Sequence, residues 1–373
     1  MKKFAASIFI LSLLFVTAGC REPEPIKIGV LLSISGKTAQ LGQSARDGVI
    51  LAVEKINAQG GVKGRTIVLE YFDAAFDPNK AEEGVRQLHK KGVAAIVGPV
   101  ASQMAVSMVP VANELRLPII SPTVTTPELS NKKDFFFRVY PDLVKTAQSL
   151  AAYTVNQKKL SKFLIIWDSA NSAFTEPWKD AFVLTAEQRG ASVPYIVEFD
   201  SRDSHLSHTH ILQEIPREDI DGILFLASPM DTAMFCQQLQ KLGSEAAIMG
   251  SDWSYTGTLV EFGGKSVEGF VFTTGVNMDS SEPAFLKFNK DYRQRFNADP
   301  NFPAVLAYET IKCLVKAMSE VEDMNSLADQ LVNMKPAEGL LGPILLNEFG
   351  DSEQAVYINE VHDGTSEVLT QIQ

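Results

Sequence analysis

Short apolar runs alternate with longer amphipathic stretches from Ile26 onward. The runs IKIGVLLS, TIVLEYFD, VAAIVG and LPIIS have the length and β-branched content of buried strands. Between them the spacing predicts helices over residues 45–58, 79–91 and 102–115, with Gly and Pro at the joints. Repeated β-α-β units with continuously apolar strands indicate a parallel sheet covered by helices.

The same pattern starts again after Tyr140-Pro141. The strand-like runs here are FLIIWD, VPYIVEFD, GILFLA, AAIMGS and VEGFVFTT, and the predicted helices cover residues 176–188, 206–214, 231–242, 283–297 and 304–320. Because crossovers between parallel strands are right-handed, each set forms a doubly wound sheet. The sequence therefore predicts an α/β protein with two such sheets and a cleft between them.

The first twenty residues, MKKFAASIFILSLLFVTAGC, do not share this pattern. Two lysines precede an apolar run of about 13 residues, which is short for a membrane span of roughly 20 and typical of a signal peptide. Ala-Gly-Cys resembles the bacterial lipobox, in which the cysteine carries lipid, although Thr17 stands where that motif prefers Leu. We expect a signal peptide over residues 1–19 and a lipidated tether over 20–25 that starts at Cys20; a plain signal peptide is the alternative.

Composition narrows the function classes. The chain has 373 residues, of which 45% are hydrophobic and 21% charged, so it is ordinary globular rather than disordered. Its net charge of −11 repels phosphate backbones and argues against a nucleic-acid partner. Three cysteines cannot form a disulfide scaffold, and Cys236 and Cys313 lie in apolar helical patterns where a buried small side chain is expected.

No pattern of catalytic or metal-binding residues emerges. Ser35-Gly36-Lys37-Thr38 follows the first strand, but a phosphate-binding loop needs a glycine five residues before Gly36, and Leu31 stands there. In HLSHTH, His205 and His208 share a helical face while His210 points away, so a solvated polar segment is expected instead of a metal site. The sequence predicts no enzyme, no cofactor and no metal.

Three strand ends carry polar residues that suit a ligand. Ser102 follows VAAIVGPV, Thr125 follows LPIIS, and Asp252 follows AAIMGS. Ligands of open α/β sheets bind beyond the carboxyl ends of the strands. Locally, Ser102 and Asp252 can also be helix caps and Thr125 a turn residue, and the adjoining Thr126-Pro127 is a cap followed by a first helical residue.

A family resemblance decides between these alternatives. The segments LLSISGKTAQLGQSARDGVILAVEKINAQGGVKGRTI, FDAAFDPNKA and SPTVTTPELS closely resemble the branched-chain amino-acid (Leu/Ile/Val) binding proteins, the class I periplasmic binding proteins of ABC importers. The likeness continues through IIWDSANSAF, GILFLASPMD and Gly250 to Asp252. It implies two Rossmann-like lobes, joined by three crossing segments, that close over a small ligand in the interlobe cleft.

The resemblance also implies a division of the chain and roles for single residues. Residues 26–141 plus 275–347 would form the N-terminal lobe, and residues 142–274 plus 348–373 the C-terminal lobe. Ser102, the backbone at Val124 and the Thr125 hydroxyl would hold the α-carboxylate of an amino acid, and Asp252 its α-ammonium. Helix-end amides and hydroxyls suit a carboxylate, and a partly desolvated carboxylate suits an ammonium.

Departures from the family pattern fall around the ligand's side chain. Leu41 stands where relatives often have an aromatic residue at the pocket edge, and Ser172 stands near a usual Tyr-Gly pair. The family often supplies another tyrosine around residues 228–230, and none is present here. The disulfide of some relatives is also missing, with Phe76 and Ala101 in its place. These changes imply a roomier or differently shaped side-chain pocket.

Three aromatic residues are candidates to refill that pocket: Phe174, Trp253 and Tyr255. For Phe174 we expect core packing instead. With Leu41 and Ser172 as further ligand contacts, the resemblance implies a monomeric, lipid-anchored, extracytoplasmic receptor. It would bind an amino acid, branched-chain or otherwise hydrophobic, and deliver it to an ABC permease with its ATPase subunits. A sensory or regulatory ligand-binding domain and a structural lipoprotein with an unused cleft are the alternatives.

Overall fold

Two large β-sheets, each flanked by helices, and one two-stranded sheet (Ala337–Glu338 with Pro343–Ile344) make up the described part of the molecule. The computed structural model describes residues 23–36, 39–213, 215 and 219–372. The first part of the chain forms β1 (Ile26–Leu32), α1 (Ala39–Ala58), β2 (Ile67–Asp73), α2 (Pro78–Lys90), β3 (Ala95–Val97), α3 (Ser102–Leu115), β4 (Ile119–Ser121) and β5 (Phe136–Arg138). These five strands make one parallel sheet in the order β2-β1-β3-β4-β5.

The second sheet begins with the next segment. Its elements are α4 (Leu143–Asn156), β6 (Lys162–Asp168), α5 (Ser172–Gln188), β7 (Ser192–Phe199), α6 (His208–Gln213), β8 (Gly222–Leu226), α7 (Pro229–Lys241), β9 (Ala247–Ser251), α8 (Gly257–Gly263) and β10 (Val271–Thr274). Then follow α9 (Pro283–Phe296), α10 (Phe302–Glu320), α11 (Leu327–Asn333), β11 (Ala337–Glu338), β12 (Pro343–Ile344), β13 (Val356–His362) and β14 (Thr365–Ile372). The sheet order is β14-β13-β10-β9-β8-β6-β7.

The last helices return to the first sheet. Asp291 on α9 forms an ion pair with Lys55 on α1, and α10 lies so close to α1 that a Cβ at Gly48 would be 2.2 Å from the Ala304 carbonyl oxygen. The chain thus passes between the sheets after β5, after β10 and before β13. The predicted two-lobed α/β fold is confirmed, and the exact lobe boundaries stay a prediction.

Both faces of the first sheet are buried, as the continuous apolar strands predict. Ile28 and Val30 face a core that extends into the second lobe, while Leu31, the residue after Val30, faces a separate core under α2 and α3. Side chains of a strand alternate between its two faces, so an uninterrupted apolar run is needed where helices cover both. The second lobe has a further core of its own around Phe225 and Phe235.

The predicted helices are all present, with ends that differ by a few residues. The helix predicted over 102–115 matches α3, whereas α1 begins at Ala39 and α5 at Ser172, earlier than expected. The second sheet departs from an all-parallel arrangement, because β13 is antiparallel to β10 and the edge strand β14 is antiparallel to β13. Their hairpin turns at Asp363-Gly364, both with positive φ, a dipeptide typical of such turns.

Candidate ligand-binding cleft

A cavity of about 30 Å³ lies between the lobes at the carboxyl ends of the strands. From the first lobe it is lined by Ser33, Leu41, Phe76, Ser102, Thr123 and Phe302, and from the second lobe by Asn171, Phe174, Asp252 and Trp253. The lobes are therefore in a closed arrangement around a small, mixed polar and apolar site.

The first lobe contributes the start of α3. Ser102 is the first residue of that helix, and the residue before it, Ala101, makes no side-chain cap. The Ser102 hydroxyl accepts a long hydrogen bond of 3.4 Å from the Thr125 amide. The buried Thr125 hydroxyl oxygen has no hydrogen-bond partner among the described residues. Helix-end amides and an unpaired hydroxyl at one place favour an anionic group.

The second lobe contributes a buried carboxylate. Asp252 Oδ1 accepts from the Trp253 amide at 2.8 Å, and Oδ2 accepts from the Tyr140 hydroxyl at 2.7 Å. Burial raises the pKa of Asp252 to about 6, although the hydrogen bonds from Tyr140 and the backbone lower it. Both groups that hold the carboxylate are neutral, so a cation placed beside it would relieve the burial of its charge.

Tyr140 connects this carboxylate to the chain segments that join the lobes. It lies in the first crossing segment, and its hydroxyl oxygen accepts from the Gly275 amide at the start of the second. A Cβ at position 275 would stand 2.5 Å from the Tyr140 ring, so glycine is required there by close approach. Burial, followed by the charge of Asp252, raises the pKa of Tyr140 well above its ordinary value. The sequence reasoning missed this role; its only signal was the position of Tyr140-Pro141 at the junction of the two patterns.

Hydrogen bonds across the cleft hold the lobes together at the beginnings of α3 and α5. The Gln103 amide of α3 donates to Asn171 Oδ1 at 3.1 Å, and the Ala173 amide of α5 donates to Gln103 Oε1 at 3.2 Å. Ser172 also donates to Gln103 Oε1, at 3.1 Å. Each helix start is therefore capped by a side chain of the opposite lobe, which is possible only when the cleft is closed.

A second cross-lobe contact lies at the other side of the cleft. The Gln40 side-chain oxygen, at the start of α1, accepts hydrogen bonds from the hydroxyls of Thr256 and Thr258 in the second lobe. Thr256 donates at 2.9 Å and is itself the N-cap of α8. Together with Gln103, this glutamine ties the two lobes at two separate points.

The structure brings Leu41, Ser102 and Asp252 to one cavity, and it does not bring Val124 or Ser172 there. The Val124 amide already donates to Ser121 Oγ at 2.9 Å, and its neighbour Thr123 lines the cavity instead. Ser172 faces Gln103 because α5 begins at that residue, so its hydroxyl belongs to the cross-lobe cap. Thr125 does not line the cavity either; its amide donates to the hydroxyl of Ser102, which does. The cap predicted at Thr126 is confirmed, since its hydroxyl accepts from the Glu128 amide.

Two of the three aromatic candidates line the cavity. Phe174 and Trp253 meet edge to face with their ring centroids 5.6 Å apart. Phe174 packs in the main core, as expected, and it also lines the cavity because α5 starts at the cleft. Tyr255 stacks on Phe272 at 4.1 Å and does not line the cavity.

The structure also shows the surroundings of the cysteines and of the histidine cluster considered above. Cys236 and Cys313 are buried and free, and burial raises the pKa of both thiols, as expected for core residues. His205 precedes α6, whose first residue is His208. His208 packs on Phe235 and lies 3.0 Å from Asp231, so the expectation of a solvated segment was wrong for this residue.

The described residues also bear on metals and membranes. Within residues 23–36, 39–213, 215 and 219–372, no three His, Cys, Asp or Glu side chains are grouped as metal ligands. Nor does any helix of these ranges have the length and apolar content to cross a membrane. The predicted signal peptide, Cys20 and the Lys37-Thr38 part of the rejected phosphate loop lie outside the described residues.

Comparison with known proteins covers nearly the whole chain. The family model described as periplasmic binding protein matches residues 25–366. The "Leu/Ile/Val-binding protein homolog 3" of Brucella melitensis is 25% identical over 359 residues, which are 94% of each chain. A leucine binding protein LivK from Thermotoga maritima has a TM-score of 0.84 at 24% identity, covering 93% of this chain and 98% of that one. A solute binding protein from R. palustris in complex with benzoate has a TM-score of 0.82 at 19% identity, covering 93% and 96%.

Proposed function

The chain belongs to the periplasmic binding protein family, and from that premise we propose that it is the extracytoplasmic receptor of an ABC importer for an α-amino acid. The ligand would bind between the lobes and be delivered to the permease and its ATPase subunits. The curated relatives named Leu/Ile/Val-binding proteins support an amino acid as the ligand class. The proposal assigns no catalytic reaction, and it takes the receptor to be a monomer.

One observation carries the choice of ligand. The Asp252 carboxylate is buried beside neutral donors in the same cavity as Ser102 at the start of α3. An α-amino acid has an ammonium and a carboxylate on one carbon, so it supplies the counter-charge for Asp252 and an anion for the helix start together. The two charges are bound from opposite lobes, so the ligand stabilises the closed arrangement more than an open one.

Ser102 and Thr125 are the proposed carboxylate ligands, together with backbone amides at this helix start. The unpaired Thr125 hydroxyl supports its part in this role. Leu41, Phe174 and Trp253 are the proposed apolar wall. Val124 and Ser172 are not included, because their polar groups already have partners elsewhere.

The membrane attachment is a separate proposal. Ala-Gly-Cys supports lipidation at Cys20, after removal of residues 1–19 and with residues 20–25 as the tether. Mass spectrometry of the amino-terminal peptide from membrane-purified protein should show an acylated Cys20, and Cys20→Ala should move the protein to the soluble fraction. An unmodified amino-terminus at any other residue would refute lipidation without affecting the ligand proposal.

A thermal-shift screen tests the ligand. Protein beginning at Arg21 is heated with each common amino acid and with carboxylates that lack an amine, such as benzoate. A ligand present at 100 times its dissociation constant adds about 2.7 kcal/mol, which raises the melting temperature by several degrees. A shift with one or a few α-amino acids is expected. Shifts only with amine-free carboxylates would refute the role of Asp252, and no shift with any compound would favour the structural lipoprotein.

A further inference from the structure

The cavity between the lobes is too small for the side chain of an amino acid, and a larger space lies next to it. This second cavity has a volume of about 210 Å³, against about 30 Å³ for the first. At roughly 10–15 Å³ for one water, the second cavity has room for more than ten water-sized groups. Leu41 and Trp253 line both cavities, so these two side chains form the wall between them.

The second cavity offers a ligand mainly apolar side chains, because its polar side chains are already hydrogen-bonded within the protein. Pro229 and Met230 at the start of α7 line it, and Phe262 on α8, which is 45% exposed, forms its outer end. Its polar members are already engaged: Ser228 Oγ donates to Asp231 at 2.7 Å, and the Gln40 side-chain oxygen accepts from Thr256 and Thr258. Among the residues that the structure describes, no charged side chain lines it.

We infer that the second cavity receives the far end of the ligand's side chain, which passes between Leu41 and Trp253 while the charged end occupies the first. This inference rests on the proposed function and narrows its ligand. A branched-chain side chain ends near the dividing wall, whereas an aromatic or long unbranched apolar side chain reaches beyond it. The preferred ligands are therefore α-amino acids of phenylalanine size or longer.

Two segments that line the second cavity, at Leu41 and at residues 228–230, lack aromatic residues. The family resemblance implies an aromatic residue at the pocket edge and a tyrosine around residues 228–230, and this chain has Leu41 and Ser-Pro-Met there. Because the residues at these two positions are not aromatic, the second cavity stays open beside the first.

The test is to fill the second cavity without touching the first. Met230 lines only the second cavity, so Met230→Trp reduces its volume. Leu286→Trp, on the exposed face of α9, adds the same ring to the surface and is the matched control. Affinities for alanine, valine, leucine, phenylalanine and tryptophan are measured by calorimetry for the wild type and both variants. Met230→Phe, a smaller increase, replaces Met230→Trp if the latter fails to fold.

We expect the wild type to bind phenylalanine or tryptophan more tightly than valine. In Met230→Trp the ratio of phenylalanine to alanine affinity should fall by at least about tenfold, as expected when apolar groups lose their pocket. It should not change in Leu286→Trp. If amino acids bind but the ratio is the same in all three proteins, the inference is overturned and the proposed function stands. If no amino acid binds the wild type, both are overturned.

Discussion

Replacing Asp252 by asparagine should have two opposite effects, one on the empty protein and one on ligand binding. In the empty protein, burial raises the pKa of this carboxyl from 3.8 to about 6. At about 1.36 kcal/mol per pKa unit, ionised Asp252 lowers the free energy of unfolding by about 3 kcal/mol at neutral pH. The neutral amide of Asp252→Asn does not carry this penalty.

The hydrogen bonds around Asp252 can be kept by the amide. Its oxygen can accept from the Trp253 amide, and its NH₂ group can donate to the Tyr140 oxygen, whose own proton can turn toward Thr274 Oγ1 at 3.5 Å. The pKa of about 6 already includes the charge-assisted bond from Tyr140, so no further term is subtracted for its loss. We therefore expect Asp252→Asn to stabilise the empty protein by about 3 kcal/mol at neutral pH, which raises the melting temperature by several degrees.

The stability difference between Asp252→Asn and wild type should depend on pH. A raised carboxyl pKa means that the folded state binds the proton more tightly than the unfolded state, so the penalty is absent below about 3.8 and complete above about 6. The stability difference between Asp252→Asn and wild type should therefore be largest at pH 7.5 and close to zero near pH 4. Urea unfolding of both proteins, followed by tryptophan fluorescence at each pH, measures it.

Asp252→Asn should weaken ligand binding although it stabilises the empty protein. If Asp252 binds the ammonium, removing its charge should weaken amino-acid binding by about 2–5 kcal/mol, measured by calorimetry at pH 7.5. A variant that is less stable than wild type at pH 7.5, with the same difference at pH 4, would refute the argument from burial. Unchanged amino-acid affinity would refute the assignment of Asp252 to the ammonium.

Three further predictions concern the hinge and the lobe contacts. Tyr140→Phe removes a donor to Asp252, so the pH at which amino-acid affinity is half lost should move upward from about 6; calorimetry between pH 5 and 8 measures it, and an unmoved midpoint would contradict the contact. Gln103→Ala removes cross-lobe caps that exist only in the closed arrangement, so amino-acid affinity should fall about 5–30-fold, whereas Gln87→Ala on the exposed face of α2 should leave it unaltered. Arg138→Met leaves its ion-pair partner Asp351, on the third crossing segment, with an uncompensated charge. It should lower the free energy of unfolding by about 3 kcal/mol in urea titrations, and a loss below about 1 kcal/mol would show that this pair does not anchor the segment.

The sequence predicted the elements well where end signals were strong. Asp77 followed by Pro78 caps α2, and Asn301 caps α10, so both helices begin at or near their predicted residues. The hairpin β13–β14 was missed even though its alternating residues flank Asp363-Gly364. Such a short amphipathic alternation is a weak signal beside the long apolar runs of parallel strands.

The candidate site was predictable only in part. The strand ends identified Ser102 and Asp252, because parallel strands of each sheet bring their carboxyl ends to one edge. The partners of Ser172 and Tyr140 were not predictable. Gln103 is 69 residues from Ser172, and Asp252 is 112 residues from Tyr140, and each pair depends on how the two lobes or their joining segments meet. Local pattern carries no information on such contacts.

If Asp252 binds the ammonium as we propose, its buried position links binding to closure more directly than a surface carboxylate would. Its burial is unfavourable only while the charge lacks a partner, so a cation that enters the cavity gains the energy that the empty closed protein lacks. Tyr140, which donates a hydrogen bond to Asp252, also accepts one from the Gly275 amide. The carboxylate is therefore connected to both of the first two crossing segments. We therefore expect neutralisation of Asp252 to affect the segments that join the lobes. A ligand without an ammonium would leave Asp252 with its uncompensated charge, and this is the physical reason to expect the closed form to select zwitterions over simple carboxylates.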